Sequence, residues 1–308
     1  MANREPIDVL DCLVVGAGPG GLTAAIYLGR FHRRAVVLHD GDARAGWIPT
    51  SHNHPGFPEG VHGPDLLALM TAQAERYGAD VRRARVTGLS KPDAVFEAET
   101  EDGTLRSRHV ILATGVRDVQ PPLPGVFDAV QRGLVRVCPI CDAYEITGKS
   151  VGIIGRGDHG AREALFLRSY TDLVTLVHVG DPQELTPEHR AALQARTVDV
   201  VDARPDSVAV EKHRIEALGF QGVHRRFDSV YSALGIEPRS ELAVQAGLQL
   251  SDDGRLVVDD RQMTSVEGLY AVGDVVRGLN QISIAQGEGA QAAVDVHNRL
   301  RRAEGLTL

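Results

Sequence analysis

Two glycine-rich turns of the same form constrain this chain more than any other feature. Gly16-Ala17-Gly18-Pro19-Gly20-Gly21 and Gly155-Arg156-Gly157-Asp158-His159-Gly160 each follow a short apolar run and lead into a helical pattern. In such a turn the first glycine makes the tight bend, the second lets the backbone approach a pyrophosphate, and the third allows close helix–strand packing. The start of the helix then presents N–H donors and the positive end of its dipole to phosphate oxygens. One such motif is weak. Two, each between a strand and a helix, predict an α/β chain with two dinucleotide-binding domains, and 308 residues accommodate both.

The first βαβ unit reads as a strand over Asp11–Val15, a helix over Leu22–Leu28 and a strand over Ala35–Asp40. Asp40, 19 residues after Gly21, stands where a carboxylate accepts hydrogen bonds from ribose hydroxyls. A Pro/Gly/His-rich loop from Gly46 to Pro64 precedes an amphipathic helix that runs to about Tyr77. Residues 79–112 read as an antiparallel insertion with its hairpin at Asp102-Gly103, returning to the sheet through His109–Leu112. The cluster Gln120-Pro121-Pro122-Leu123-Pro124-Gly125 is the linker candidate. The second unit repeats the pattern with strands at Lys149–Ile154 and Leu173–His178 around a helix at Ala161–Tyr170. After Pro238 the chain is expected to return to the first domain, through a strand and turn at Gly268–Asp274 and a closing helix at Ser283–Leu300. The expected domains are therefore 1–117 with 241–308, and 118–240 inserted between them.

Between the two turns lies Cys138-Pro139-Ile140-Cys141, 14 residues before Gly155. Two nucleotide cradles and a vicinal thiol pair form a circuit in which electrons can pass between a cofactor and a disulfide. Three cysteines cannot build a structural disulfide framework, and with no second CxxC or CxxH pair no tetrahedral metal site is expected. A thiol at a helix start ionises more readily, which suits Cys138 and Cys141 to exchange near neutral pH. Asp142 reads as a proton carrier or a helix cap, and both roles are compatible. Cys12, in mid-strand, reads as core. Trp47 and Phe57 read as packing residues, and Asp158 and Glu163 as residues that hold their domain together.

The net charge of −8 disfavours nucleic acid and anionic membrane surfaces. The first ten residues carry Arg4, Glu5 and Asp8 and contain no apolar signal core, and no apolar run approaches 18 residues. A cytoplasmic protein is expected.

In Gly16–Gly21, Ala113-Thr114-Gly115, Cys138–Asp142 and Ala271-Val272-Gly273-Asp274, in that order, the chain resembles the low-molecular-weight thioredoxin reductases over nearly its whole length. The resemblance implies two Rossmann-like (three-layer ββα) domains, the second inserted into the first, with FAD bound by the first. It assigns FAD contacts to Gly16, Gly18, Pro19, Gly20, Gly21, Asp40, Ala113, Thr114, Gly115, Gly273, Asp274, Gln281 and Ile282. It also implies that Cys141 faces the flavin, that Cys138 exchanges with the external disulfide, that Asp142 shuttles the proton, and that the protein is a homodimer.

The chain departs from that family after the second turn. The family carries HRRxxxR there, whose guanidinium groups clamp the 2′-phosphate of NADPH. Here the stretch is His178-Val179-Gly180-Asp181-Pro182-Gln183-Glu184, with Val179, Gly180 and Glu184 at the arginine positions. Losing two or three charge-assisted contacts of roughly 1.5–3 kcal/mol each weakens NADPH binding by orders of magnitude. The expected donor is then a ferredoxin or another flavin, or the chain is similar to the dithiol oxidases that pass electrons to oxygen. Partners are a thioredoxin-like protein or a small dithiol or disulfide. Alternatives are an NADPH-dependent thioredoxin reductase clamped by Arg156, Arg190 or Arg196, and a flavin redox sensor without turnover. His52, His54 and His62 read as loop residues. Similarity to the dithiol oxidases gives the alternative that His52 or His54 serves the thiols as a base.

Overall fold

The computed structural model describes residues 9–121, 125–211, 214–219 and 224–306, with the backbone alone described over 203–211, 214–219 and 224. Strand β1 (Leu10–Val15) leads through the first glycine turn into α1 (Pro19–Arg30) and β2 (Ala35–His39). After α2 (Gly63–Arg76) come β3 (Asp80–Arg83), β4 (Val86–Ser90), β5 (Phe96–Thr100) and β6 (Gly103–Leu112). Then follow β7 (Val116–Asp118), α3 (Val126–Gln131), β8 (Val135–Arg136) and α4 (Pro139–Asp142). The second glycine turn joins β9 (Val151–Gly155) to α5 (Gly157–Leu167), which precedes β10 (Val174–His178), α6 (Pro187–Ala195) and β11 (Asp199–Glu211). The chain continues through β12 (Arg214–Gly219), β13 (His224–Phe227), β14 (Ser229–Ala233), β15 (Ile236–Pro238), α7 (Glu241–Gln245), β16 (Leu269–Ala271) and α8 (Ile282–Ala303).

These elements form two compact units. The first comprises residues 1–46, 63–117 and 238–308, the second 47–62 and 118–237, so the histidine-rich segment groups with the second. Of the linker candidate Gln120–Gly125, residues 122–124 lie outside the described residues.

In the first unit β3, β2, β1, β6 and β16 lie side by side and parallel. Alternate residues of β1 supply two apolar layers, Leu13 and Val15 on one face and Cys12 and Val14 on the other. Burial on both faces is why this strand reads as a continuous apolar run. The long β6 serves twice. Its second half pairs with β1, and its first half turns back on β5 in the Asp102-Gly103 hairpin, with Thr100 opposite Gly103. β3 differs from the sequence expectation: it pairs parallel to β2, with Val81 turned into the core layer of Cys12 and Val14.

The second unit repeats the plan with parallel strands in the order β11, β10, β9, β14, β8 and an antiparallel extension through β12 and β13. Helix α5 begins at Gly157, four residues before the expected start. Glycine's low helix propensity hid this turn, which close packing of Gly160 on Gly155 permits. No helix among the described residues is long and apolar enough to cross a membrane.

Candidate active site

Gly16 has φ +113°, and a Cβ there would overlap the Ala113 carbonyl; one on Gly21 would overlap the Gly16 carbonyl. Turn, helix and the end of β6 are thus locked together. Gly18 is the opposite case: no protein atom beyond its neighbours lies within 4 Å of where its Cβ would stand. Helix α1 starts there with Pro19 in its first turn, no capping side chain and no acidic residue. Helix α8 also starts without a capping side chain or a first-turn acid, at Gln281 and Ile282. The two helices meet where Gly289 packs on the Gly20 carbonyl so closely that a Cβ would overlap it. An open glycine at the uncapped start of α1 is what a pyrophosphate requires.

The other predicted residues of this cradle gather at the same strand ends. Thr114 Oγ1 donates to the Arg239 carbonyl at 2.6 Å, and the Gly115 carbonyl accepts from the Arg239 amide at 3.0 Å. Asp40, just past β2, accepts from the Asp42 amide at 3.1 Å and lies 3.7 Å from Arg239. Gly273, φ +76°, donates its amide to Glu288 at 2.6 Å, and Asp274 pairs with Arg44 at 2.8 Å. Burial raises the Glu288 pKa despite that amide. The sequence reading missed Glu288, Arg44 and Arg239, because no local pattern marks a partner so far along the chain.

In the second unit Cys138 and Cys141 form a disulfide with their Cα atoms 5.3 Å apart. Cys138 stands at the N-cap position of α4 without a side-chain capping bond, Pro139 occupies its first turn, and the Cys141 amide bonds the Cys138 carbonyl at 3.0 Å. The helix is a single turn, so its dipole is small. Local charge comes instead from Asp142. Its two carboxylate oxygens accept from Arg136 Nη1 and from Tyr231 Oη, each at 2.7 Å. Burial raises the Asp142 pKa above the ordinary carboxylate value, against the opposing pull of Arg136 and Tyr231.

The second glycine turn differs from the first. The Gly157 amide donates to Nε2 of the fully buried His178 at 3.0 Å, which places the ring proton on Nδ1, 3.4 Å from Asp202 Oδ1. A Cβ on Gly157 would stand 2.8 Å from the Glu184 carbonyl oxygen, so the short turn at Pro182–Glu184 lies against this glycine. Asp158 accepts from the Thr186 amide at 2.9 Å and its hydroxyl at 3.0 Å, pinning that segment to the first turn of α5. These bonds hold the Asp158 carboxyl below its usual range. Val179 is buried, and a Cβ on Gly180 would overlap the Glu184 carboxylate. Arg156 is exposed, with Nε 3.7 Å from Glu184; Arg190 donates to the Pro182 carbonyl.

Cys12 is fully buried with its pKa pushed up by burial, as a core thiol is. Trp47 packs edge-on to Phe127 at 4.9 Å and Phe57 stacks on His54 at 5.4 Å. Burial lowers the His54 pKa, which favours a neutral ring. Among the described residues no cluster of metal-ligating side chains occurs.

Two Rossmann-like units, one with an open phosphate turn and one carrying a vicinal disulfide beside a buried carboxylate, define a flavin oxidoreductase acting on disulfides. The chain belongs to the Pyridine nucleotide-disulphide oxidoreductase family, which it matches over residues 10–289, and within it is thioredoxin-reductase-like. It is 31% identical to the thioredoxin reductase of Mycolicibacterium smegmatis, over 95% of this chain and 97% of that protein. It is 32% identical to the thioredoxin reductase of Treponema pallidum, over 92% and 94%. The crystal structure of HlmI superposes with a TM-score of 0.87 at 30% identity, over 96% of this chain and 94% of that one. The family implies FAD, and the first cradle fits it.

Proposed function

We propose that this protein is an FAD-dependent dithiol–disulfide oxidoreductase that cycles Cys138 and Cys141 without efficient use of NADPH. The observation that carries the reading is the filled second turn, where His178 takes the Gly157 amide and Glu184 lies against the glycine. A 2′-phosphate there would meet Glu184 where the family has an arginine, with Asp181 adding negative charge nearby. Repulsion adds to the missing donors.

In the forward direction a substrate thiolate bonds to Cys138 Sγ, and the Cys138–Cys141 bond breaks with Cys141 leaving as a thiolate. The second substrate thiol then forms the substrate disulfide and releases Cys138. Two electrons and two protons pass from the substrate to the pair. Asp142 carries a proton to or from the sulfur that is charged at each stage. Bound FAD supplies the two-electron carrier that restores the disulfide. The substrate is a small dithiol or a thioredoxin-like protein, the latter supported by the names of the relatives. Electrons leave for oxygen or a second carrier, and a ferredoxin or another flavin serves if the cycle runs in reverse.

The test is anaerobic stopped-flow spectroscopy of the yellow protein with excess NADPH and, separately, with dithiothreitol. Bleaching by the dithiol alone is expected. Bleaching by NADPH within a second would instead establish an NADPH-dependent thioredoxin reductase, the reading that the relatives' names favour.

A further inference from the structure

We propose that Arg136 and Tyr231 are positioning residues that clamp both oxygens of Asp142 and set the pH at which it exchanges protons with the thiol pair. The inference rests on the proton role given to Asp142 above. Its basis is the sheet register. β8 and β14 run parallel with Arg136 directly opposite Tyr231, so the two side chains leave the same face of adjacent strands. Only two residues separate the end of β8 from the first helical residue, and α4 ends at Asp142. The chain therefore delivers the carboxylate to the pair of donors opposite.

The clamp is built rather than incidental. Tyr231 is fully buried in a strand paired on both sides, by β9 and β8. Arg136 is oriented at its other edge by Ser229, whose Oγ lies 3.1 Å from Nε and itself donates to the Gly133 carbonyl at 3.1 Å. Both donors stabilise the ionised carboxylate, while burial and Glu145, from the turn after α4, stabilise the protonated form. On α5, which packs against α4, Asp158 bonds Thr186 and lies 3.2 Å from His189, Glu163 lies 3.4 Å from His159 and near Asp118, and Arg162 lies close to His159. Asp142 is thus under opposing influences, burial prevailing over its two donors, which suits a group that must both take and give a proton. Anchoring α4 to the sheet would need the same hydrogen bonds, but it would not need them to govern a titration.

The experiment compares flavin-loaded wild type with Tyr231→Phe, Arg136→Met, Arg136→Lys and Asp142→Asn, each reduced and kept anaerobic. Aspartate carboxyl carbons are labelled with 13C and titrated by NMR, the Asp142 signal being the one missing from Asp142→Asn. The pH dependence of iodoacetamide alkylation is measured in parallel. Loss of a donor to the charged form raises the Asp142 midpoint, by about half a pH unit or more in Tyr231→Phe and by about one or more in Arg136→Met. Arg136→Lys stays near wild type, and the alkylation profile moves in step with the carboxyl titration. An unmoved Asp142 midpoint in folded Tyr231→Phe and Arg136→Met overturns the clamp while leaving the proton role intact. An alkylation profile unchanged in Asp142→Asn removes the proton role itself, and the proposal with it.

Discussion

The Gly157 amide is bonded at 3.0 Å to His178 Nε2, a side chain with no exposure to solvent, whereas in the first turn no protein atom beyond the chain neighbours of Gly18 lies within 4 Å of its Cβ position. Two turns of the same sequence form therefore differ in what fills them. His178→Ala leaves a buried N–H without its acceptor and opens a cavity. Urea unfolding should show a loss of about 2–4 kcal/mol, with no gain of NADPH turnover, since Val179, Gly180 and Glu184 still offer no cation.

Gly18→Ala and Gly21→Ala should separate cofactor binding from folding. The first meets no protein atom, so the apoprotein should unfold within about 0.5 kcal/mol of wild type yet bind FAD at least about tenfold more weakly, because the methyl stands where the pyrophosphate approaches. Gly21→Ala drives a methyl into the Gly16 carbonyl and should destabilise the apoprotein itself. Calorimetry of FAD binding and denaturant unfolding of both apoproteins check this. Equal FAD affinity in Gly18→Ala and wild type would be inconsistent with pyrophosphate binding at this turn.

Grafting cations onto the second turn should recover affinity for a 2′-phosphate. The triple variant Val179→Arg, Gly180→Arg, Glu184→Arg also removes the carboxylate that a Gly180 Cβ would overlap. At about 1.5–3 kcal/mol per charge-assisted contact, at least a tenfold tighter fit to 2′,5′-ADP is expected by calorimetry. No gain would mean that the Pro182–Glu184 backbone, rather than charge, closes the cradle.

Glu163 gives a pH signature. Burial and the nearby Asp118 push its pKa up to about 7, from 4.5 in the unfolded chain. Between those values the unfolded state releases a proton that the folded state keeps, so this group's contribution to stability is fully present below pH 4.5 and is lost as pH rises toward 7. The loss is on the order of 3 kcal/mol. Glu163→Gln should flatten this part of the stability–pH curve; a wild-type slope retained in the variant would assign the effect elsewhere.

Thiol labelling should count the cysteines by environment. After reduction, native protein should take two alkyl groups, on Cys138 and Cys141. The third should appear only on unfolding, since the buried Cys12 thiol resists ionisation. Mass spectrometry reads the numbers directly, and a third native label would contradict the core placement of Cys12.

The glycine turns, the strands that precede them and the vicinal cysteines were legible in the residues, because each depends on local backbone geometry. Gly16 needs a positive φ, and Gly21 and Gly160 permit contacts that a side chain would block. That Val179, Gly180 and Glu184 carry no cation was legible as well, being a matter of residue type alone. Tertiary structure decided the rest. Tyr231 reaches Asp142 across 89 residues of chain, and it does so only because β14 settles beside β8 in one register. His178 read as the head of the departing stretch, and only the parallel pairing of β10 with β9 set it opposite Gly155, beside the Gly157 amide. Sequence patterns report periodicity and local turns. The strand register that brings distant side chains together is selected by the packing of whole sheets.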